Sequence, residues 1–146
     1  MGIEQGVAAP PMPPPGSLGA FFWAGAREGR LLIQRCSACG TYIHLPRPVC
    51  RACRSFDLAP AEVSGRGTVY SFTETYKAFH PFFVDRVPFL LATVELEEQA
   101  GLMLLSNLVG AAEPDIRFGM DVVVDFEALS SELTIPVFRP ATAGAS

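Results

Sequence analysis

The chain has one lysine, one tryptophan and two histidines in 146 residues. Each scarcity excludes something. Single-strand nucleic-acid binding wants a basic groove with stacking aromatics. Here residues 67–146 carry four basic residues against eleven acids, a net −7, which repels phosphates. There is no Gly-x-Ser-x-Gly, no pair of carboxylates set for acid–base work, and no cysteine outside two tight pairs. No run approaches the roughly eighteen apolar residues of a membrane helix. The first residues, Met1-Gly2-Ile3-Glu4-Gln5, form neither a basic region nor an apolar signal core, so secretion is not expected and the chain reads as cytoplasmic.

What the chain does have is four cysteines in two Cys-x-x-Cys turns, Cys36/Cys39 and Cys50/Cys53, ten residues apart. In a non-secreted chain, paired thiols read as metal ligands before disulfides. Four thiolates can close a tetrahedral cage with no open position, which builds structure and activates no water. The ion expected is a structural Zn²⁺, and iron fits the same cage chemically. A ribbon this short cannot bury enough core alone, so metal binding becomes folding energy.

Apolar residues make up 49% of the chain, so a packed core is expected around this scaffold. Residues 1–16 end in Pro10-Pro11-Met12-Pro13-Pro14-Pro15 and read as a proline-rich linker or disordered arm. Residues 17–63 hold an N-terminal helix, capped by Ser17 and running to Glu28 with Gly29 as its stop, and then the four-cysteine ribbon. Gly29 to Arg35 leads into the first cysteine pair as a strand. From Ser64 the texture is β. The runs Thr68–Tyr76, Phe89–Leu96, Leu102–Leu108, Val122–Phe126 and Leu133–Phe138 are five strands, the second and third forming a hairpin. Five strands over residues 64–140 without a long helix fit a small barrel of the OB type. Residues 141–146 read as a loose tail. The fold class is mainly β: helix, ribbon, barrel.

Residues 27–66 carry seven arginines against three acids, a net +4. A basic half beside an acidic half points to an oriented partner or a local anion site, or simply to solvated surface charge. Phe79, His80, Phe82 and Phe83 fall in a proline-broken stretch, where not every ring can turn inward. Exposed aromatic clusters mark protein interfaces. The helix aromatics Phe22 and Trp23 also need partners outside the helix. His80 and Glu95 are isolated polar residues with no nucleophile beside them, so catalysis by this chain alone is not expected. His44 lies between the cysteine pairs and reads as an ordinary ribbon histidine, because four cysteines already satisfy the metal.

The order of these pieces carries a resemblance. Phe22-Trp23 and Gly25 precede Gly29-Arg30-Leu31-Leu32-Ile33-Gln34-Arg35-Cys36-Ser37-Ala38-Cys39-Gly40 and Pro46-Arg47-Pro48-Val49-Cys50. Then follow Ser64-Gly65-Arg66-Gly67-Thr68-Val69-Tyr70-Ser71-Phe72, Phe118-Gly119-Met120-Asp121 and Pro136-Val137-Phe138-Arg139-Pro140. Over roughly residues 18–140 the chain resembles the OB-fold family with an N-terminal rubredoxin-like zinc ribbon, once filed as a domain of unknown function. The resemblance implies a non-catalytic accessory subunit of a thiolase-fold enzyme in acyl-CoA metabolism. Family members also occur fused to hotdog-fold enoyl-CoA hydratases, and such domains pair with a sterol-carrier-type thiolase homologue as the aldolase of steroid side-chain degradation. It further implies a CoA ester nearby, whose phosphates Arg30, Arg35, Arg47, Arg51, Arg54 and Arg66 could hold, unless some of them bridge to a partner subunit. The alternative class, a single-stranded nucleic-acid binder built on the same two modules, is disfavoured by the acidic barrel half and the lone lysine.

Overall fold

The computed structural model describes residues 8–141. The expectations for residues 1–7 and 142–146, part of the proline-rich arm and most of the tail, lie outside the described residues.

One helix, α1 (Ala20–Arg27), leads into a small antiparallel sheet. Its strands are β1 (Leu32–Cys36), β2 (Tyr42–Ile43) and β3 (Leu58–Glu62), in the order β2-β1-β3. The helix starts two residues later than the sequence suggests. The Ser17 carbonyl accepts from Ala20 N at 3.1 Å and closes a turn ahead of the helix, so Gly19 takes the cap position and no side chain caps it. The stop is as expected, with Gly29 N bonded to the Ala26 carbonyl at 3.0 Å. Strand β3 is absent from the sequence reading because Pro60 interrupts its run. Proline is tolerated there because β3 is an edge strand that pairs only with β1.

The remaining strands are β4 (Arg66–Thr75), β5 (Phe89–Leu96), β6 (Met103–Leu108), β7 (Asp121–Ala128) and β8 (Thr134–Pro140). They close a barrel in the order β4-β5-β6-β8-β7, with β4 returning to β7. This is the expected five-stranded OB architecture. Alternation of apolar and polar residues drives it: in β5, Leu90, Ala92, Val94 and Leu96 are buried while the residues between them face outward. The β6–β8 pair is parallel, and the buried Ser106 hydroxyl donates to the Pro136 carbonyl at 2.7 Å beside it.

Helix and ribbon do not stand apart from the barrel. Phe22, Leu31, Ile33 and Val63 pack into the same core as Val69, Val94 and Phe138. A polar clasp completes the junction. The Gln99 side chain, in the β5–β6 turn, accepts from Tyr42 N at 2.9 Å and donates to the Tyr42 carbonyl at 3.0 Å, so one amide acts as an extra strand partner for β2. Gln99→Ala leaves both Tyr42 backbone groups without these partners and is expected to cost about 2 kcal/mol. Thermal denaturation reads the loss. Hydrogen exchange should quicken at Tyr42 and Ile43 and stay unchanged in β5.

Candidate metal centre and partner surface

Each Cys-x-x-Cys turn closes as a knuckle. Gly40 N bonds to the Cys36 carbonyl at 2.8 Å, and Arg54 N bonds to the Cys50 carbonyl at 2.9 Å. Both closing residues are left-handed, Gly40 at φ 82° and Arg54 at φ 65°. The conformation suits glycine, and for an L side chain it costs roughly 1–2 kcal/mol. The second knuckle therefore carries an arginine where strain argues for glycine.

The four Sγ atoms lie within 4.8 Å of one another, with Cys36···Cys53 at 3.6 Å and Cys39···Cys50 at 3.7 Å. A tetrahedral ion with metal–sulfur bonds of about 2.3 Å spaces its ligands about 3.8 Å apart, so the cage fits such an ion. Cys36 and Cys50 are buried while Cys39 and Cys53 face outward. The Thr41 hydroxyl, 3.1 Å from Cys39 Sγ, and the Thr41 backbone hold that thiol down to about 6. The amides of Cys53 and Ala52 lower Cys50. Cys53 gains from the Ser55 amide, but burial and the neighbouring sulfurs outweigh it and push the thiol up to about 12. Four thiolates in one cage repel, and a divalent cation among them removes that penalty. The cage chemistry is that of a closed structural metal site.

The arginine pool divides. Arg30 is paired with Glu62 at 3.1 Å and Glu28 at 3.5 Å, and Arg66 with Glu97 at 2.7 Å. These carboxylates raise both guanidinium pKa values, and neither arginine is free for a phosphate without exchanging partners. Arg35 donates to the Gly40 carbonyl at 3.0 Å and lies over the Tyr42 ring. Arg47, Arg51 and Arg54 are exposed and have no ion-pair partner among the described residues.

The aromatic candidates divide as well. Phe22 is 8% exposed and belongs to the core, so it offers no ring to a partner. Trp23, edge-on to Phe22, is half-buried. The loop between β4 and β5 is preorganised. His80 Nδ1 accepts from Phe82 N at 3.1 Å and caps a short 3₁₀ turn, Pro81–Phe83. This occupies the ring nitrogen nearest the loop and gives His80 a positioning task. Phe82 meets Phe83 edge-on, Phe83 lies tilted against Phe89, and Arg86 lies over Phe82 while paired with Glu127 at 2.9 Å. Phe79 remains 82% exposed at the tip. Glu95, the other isolated acid, accepts from Gly101 N at 2.7 Å and stabilises the β5–β6 turn.

Sequence reasoning missed two glutamines. Gln34 is buried, and its amide accepts from Arg47 N and donates to the Arg47 carbonyl, both at 2.9 Å, which holds the loop between the knuckles. Gln34 and Gln99 make the same clasp in different places. Neither has a local signal, since a glutamine in a strand or turn reads as solvated.

A four-cysteine ribbon packed on a closed five-stranded barrel defines a zinc-ribbon/OB-fold protein. Residues 23–59 match the family described as "ChsH2, rubredoxin-like zinc ribbon domain", and residues 61–127 match "ChsH2, C-terminal OB-fold domain". A solved structure of an Ltp2-ChsH2(DUF35) aldolase is 44% identical, with a TM-score of 0.81, over 90% of this chain and 100% of that one. The chain belongs to the ChsH2/DUF35 family. Among its relatives, a probable enoyl-CoA hydratase alpha subunit of Thermomonospora curvata is 47% identical over 122 residues, covering 84% of this chain and 37% of that protein. The 3-oxo-4,17-pregnadiene-20-carboxyl-CoA hydratase alpha subunit of Mycobacterium tuberculosis is 40% identical over 103 residues, covering 70% of this chain and 32% of that protein. The chain thus spans about a third of the length of these two relatives. No helix among the described residues is long and apolar enough to cross a membrane.

Proposed function

We propose that this chain is a non-catalytic partner of a thiolase-like enzyme and supports its acyl-CoA chemistry, with retro-aldol cleavage of a steroid side-chain acyl-CoA as the reaction served. The observation that carries this is the likeness to the Ltp2-ChsH2(DUF35) aldolase chain, all of which is covered by 90% of this chain. The steroid thioester in the name of the mycobacterial relative supports the same substrate class. The ribbon's ion is a structural Zn²⁺ that holds Arg47, Arg51 and Arg54 on one rigid module. These three guanidiniums are the ones available for a CoA phosphate or an acidic partner surface. Phe79, Phe82, Phe83 and Trp23 supply apolar contact area. The short coverage of the two hydratase subunits supports fusion to, or assembly with, a hotdog-fold hydratase in the same degradative sequence.

Co-expression with a thiolase-like protein of the same genome tests the proposal. The two should elute together, and the pair should cleave a β-hydroxyacyl-CoA with a steroid side chain into a ketone and a shorter acyl-CoA. This chain alone should show no turnover. Turnover by the isolated chain, or elution of the two proteins as separate species, overturns the reading.

A further inference from the structure

The four sulfurs of the cage are not equivalent. Cys36 and Cys50 are buried, while Cys39 and Cys53 face solvent, one from each knuckle. The two exposed sulfurs also differ from each other. Cys39 has the Thr41 hydroxyl at 3.1 Å and the Thr41 amide beside it. Cys53 has the Ser55 amide and no hydroxyl among the described residues. Each such hydrogen bond draws charge from a thiolate and slows its attack on an electrophile, because nucleophilicity falls as basicity falls.

The neighbouring charges separate them further. Arg51 and Arg54 stand on the Cys53 knuckle, exposed and without an ion-pair partner among the described residues. The Cys39 knuckle carries the uncharged Ser37 and Gly40 in the matching places. Cationic, solvent-reached surroundings are where reactive cysteines sit. Cys53 also has a second sulfur within reach. Cys36 Sγ lies 3.6 Å away, on the other knuckle.

We propose that the ribbon is a peroxide-sensitive switch in which Cys53 is oxidised first, Cys36 closes a disulfide onto it, and the ribbon then gives up its metal. The Cys53 thiolate attacks hydrogen peroxide, the O–O bond breaks, and a sulfenic acid and a hydroxide form. The Cys36 thiolate then attacks the Cys53 sulfur, the S–O bond breaks, and a second hydroxide leaves. The two sulfurs lose two electrons in all, and peroxide takes them. Only Cys39 and Cys50 remain as thiolates, and two ligands cannot close a tetrahedral cage. A dithiol reductant returns the disulfide to two thiols. The switch needs no partner, since the cage alone supplies both sulfurs.

Peptide mapping of the full chain, loaded with one equivalent of Zn²⁺ and treated stepwise with hydrogen peroxide, tests this. Trypsin cuts between Arg51 and Ala52 and so places Cys53 on a different peptide from the other three cysteines. With dimedone present to trap sulfenic acid, Cys53 should be labelled before any other cysteine. Without dimedone, fragmentation should show a Cys36–Cys53 disulfide. A chromogenic chelator should read one zinc ion released per disulfide formed, and dithiothreitol with added zinc should restore the loaded chain. Thr41→Val keeps all four ligands and removes the hydroxyl from Cys39, so dimedone on Cys39 should rise about threefold relative to Cys53. First labelling at Cys36, Cys39 or Cys50 overturns the proposal, as does a disulfide that leaves out Cys53. Oxidation with the metal retained overturns it too, and so does a chain that holds no zinc before peroxide is added. Release that dithiothreitol and zinc do not reverse makes the event damage, and the switch is then refuted.

Discussion

Stripping the ribbon's metal is expected to unfold residues 29–63 and to loosen the end of the barrel they cover. Without a cation the four cysteine side chains have no common partner, and the ribbon's own buried cluster consists only of Cys36, Cys50 and Ile43 with the half-buried Leu58 against them. So small a cluster cannot hold two knuckles and a two-residue strand in place, whereas structural zinc in isolated finger peptides contributes about 10–16 kcal/mol of apparent binding energy at neutral pH. Leu31, Ile33 and Val63 then lose their place in the shared core with Val69 and Val94, so the damage spreads beyond the ribbon. Elemental analysis of gently purified protein should give one metal ion per chain. Cys36→Ser, which removes a buried ligand, should release it, expose the remaining thiols to a thiol reagent and shift Trp23 emission to the red. Acid acts in the same direction, because protons compete with the metal for thiolate sulfur. A metal-free chain that keeps its Tm within about 2 °C would rule out a structural role for the ion.

The second large effect is expected at Gly67, where β4 lies against β5 with no room for a side chain. A Cβ there would stand 2.4 Å from the Glu95 carbonyl oxygen and 2.8 Å from Val94 Cγ1. The oxygen belongs to the backbone of a paired strand and cannot rotate away, so Gly67→Ala must push β4 off β5 or off β7, which it joins at the same residue. Overpacking of this kind costs about 3 kcal/mol, and for a chain of this size that lowers Tm by roughly 10 °C. The neighbouring barrel contacts give the substitution its reach, since Gly67 sits where the closed sheet returns on itself. Equal stability of the variant and the parent by thermal denaturation would show that the strands can part there without cost.

The four-cysteine cage was legible because its members are local. Two Cys-x-x-Cys turns place their sulfurs by knuckle geometry alone, and the structure brings the four within cage distance as the spacing requires. The five barrel strands were legible for a similar reason. Alternation in Phe89–Leu96 and Met103–Leu108 records which face is buried, and that is a property of consecutive residues. Strand β3 was not legible, because whether a strand tolerates Pro60 depends on its being at an edge, and edges exist only after the sheet forms. The aromatic and arginine surfaces were half legible. Composition marks which side chains could serve, but not that Phe22 turns into the core or that Glu62 and Glu97 neutralise Arg30 and Arg66.

The amino-acid sequence by itself determined the ribbon's four-cysteine cluster, the mainly β texture, the barrel's strand count and the uneven charge, since each depends on residues near one another in the chain. Tertiary structure decided the rest: the Gln99 clasp on Tyr42 across 57 residues, the shared core of helix, ribbon and barrel, and the groove where Trp23, His44 and Leu105 meet. These depend on distances between elements remote in sequence, which packing sets and no local pattern records.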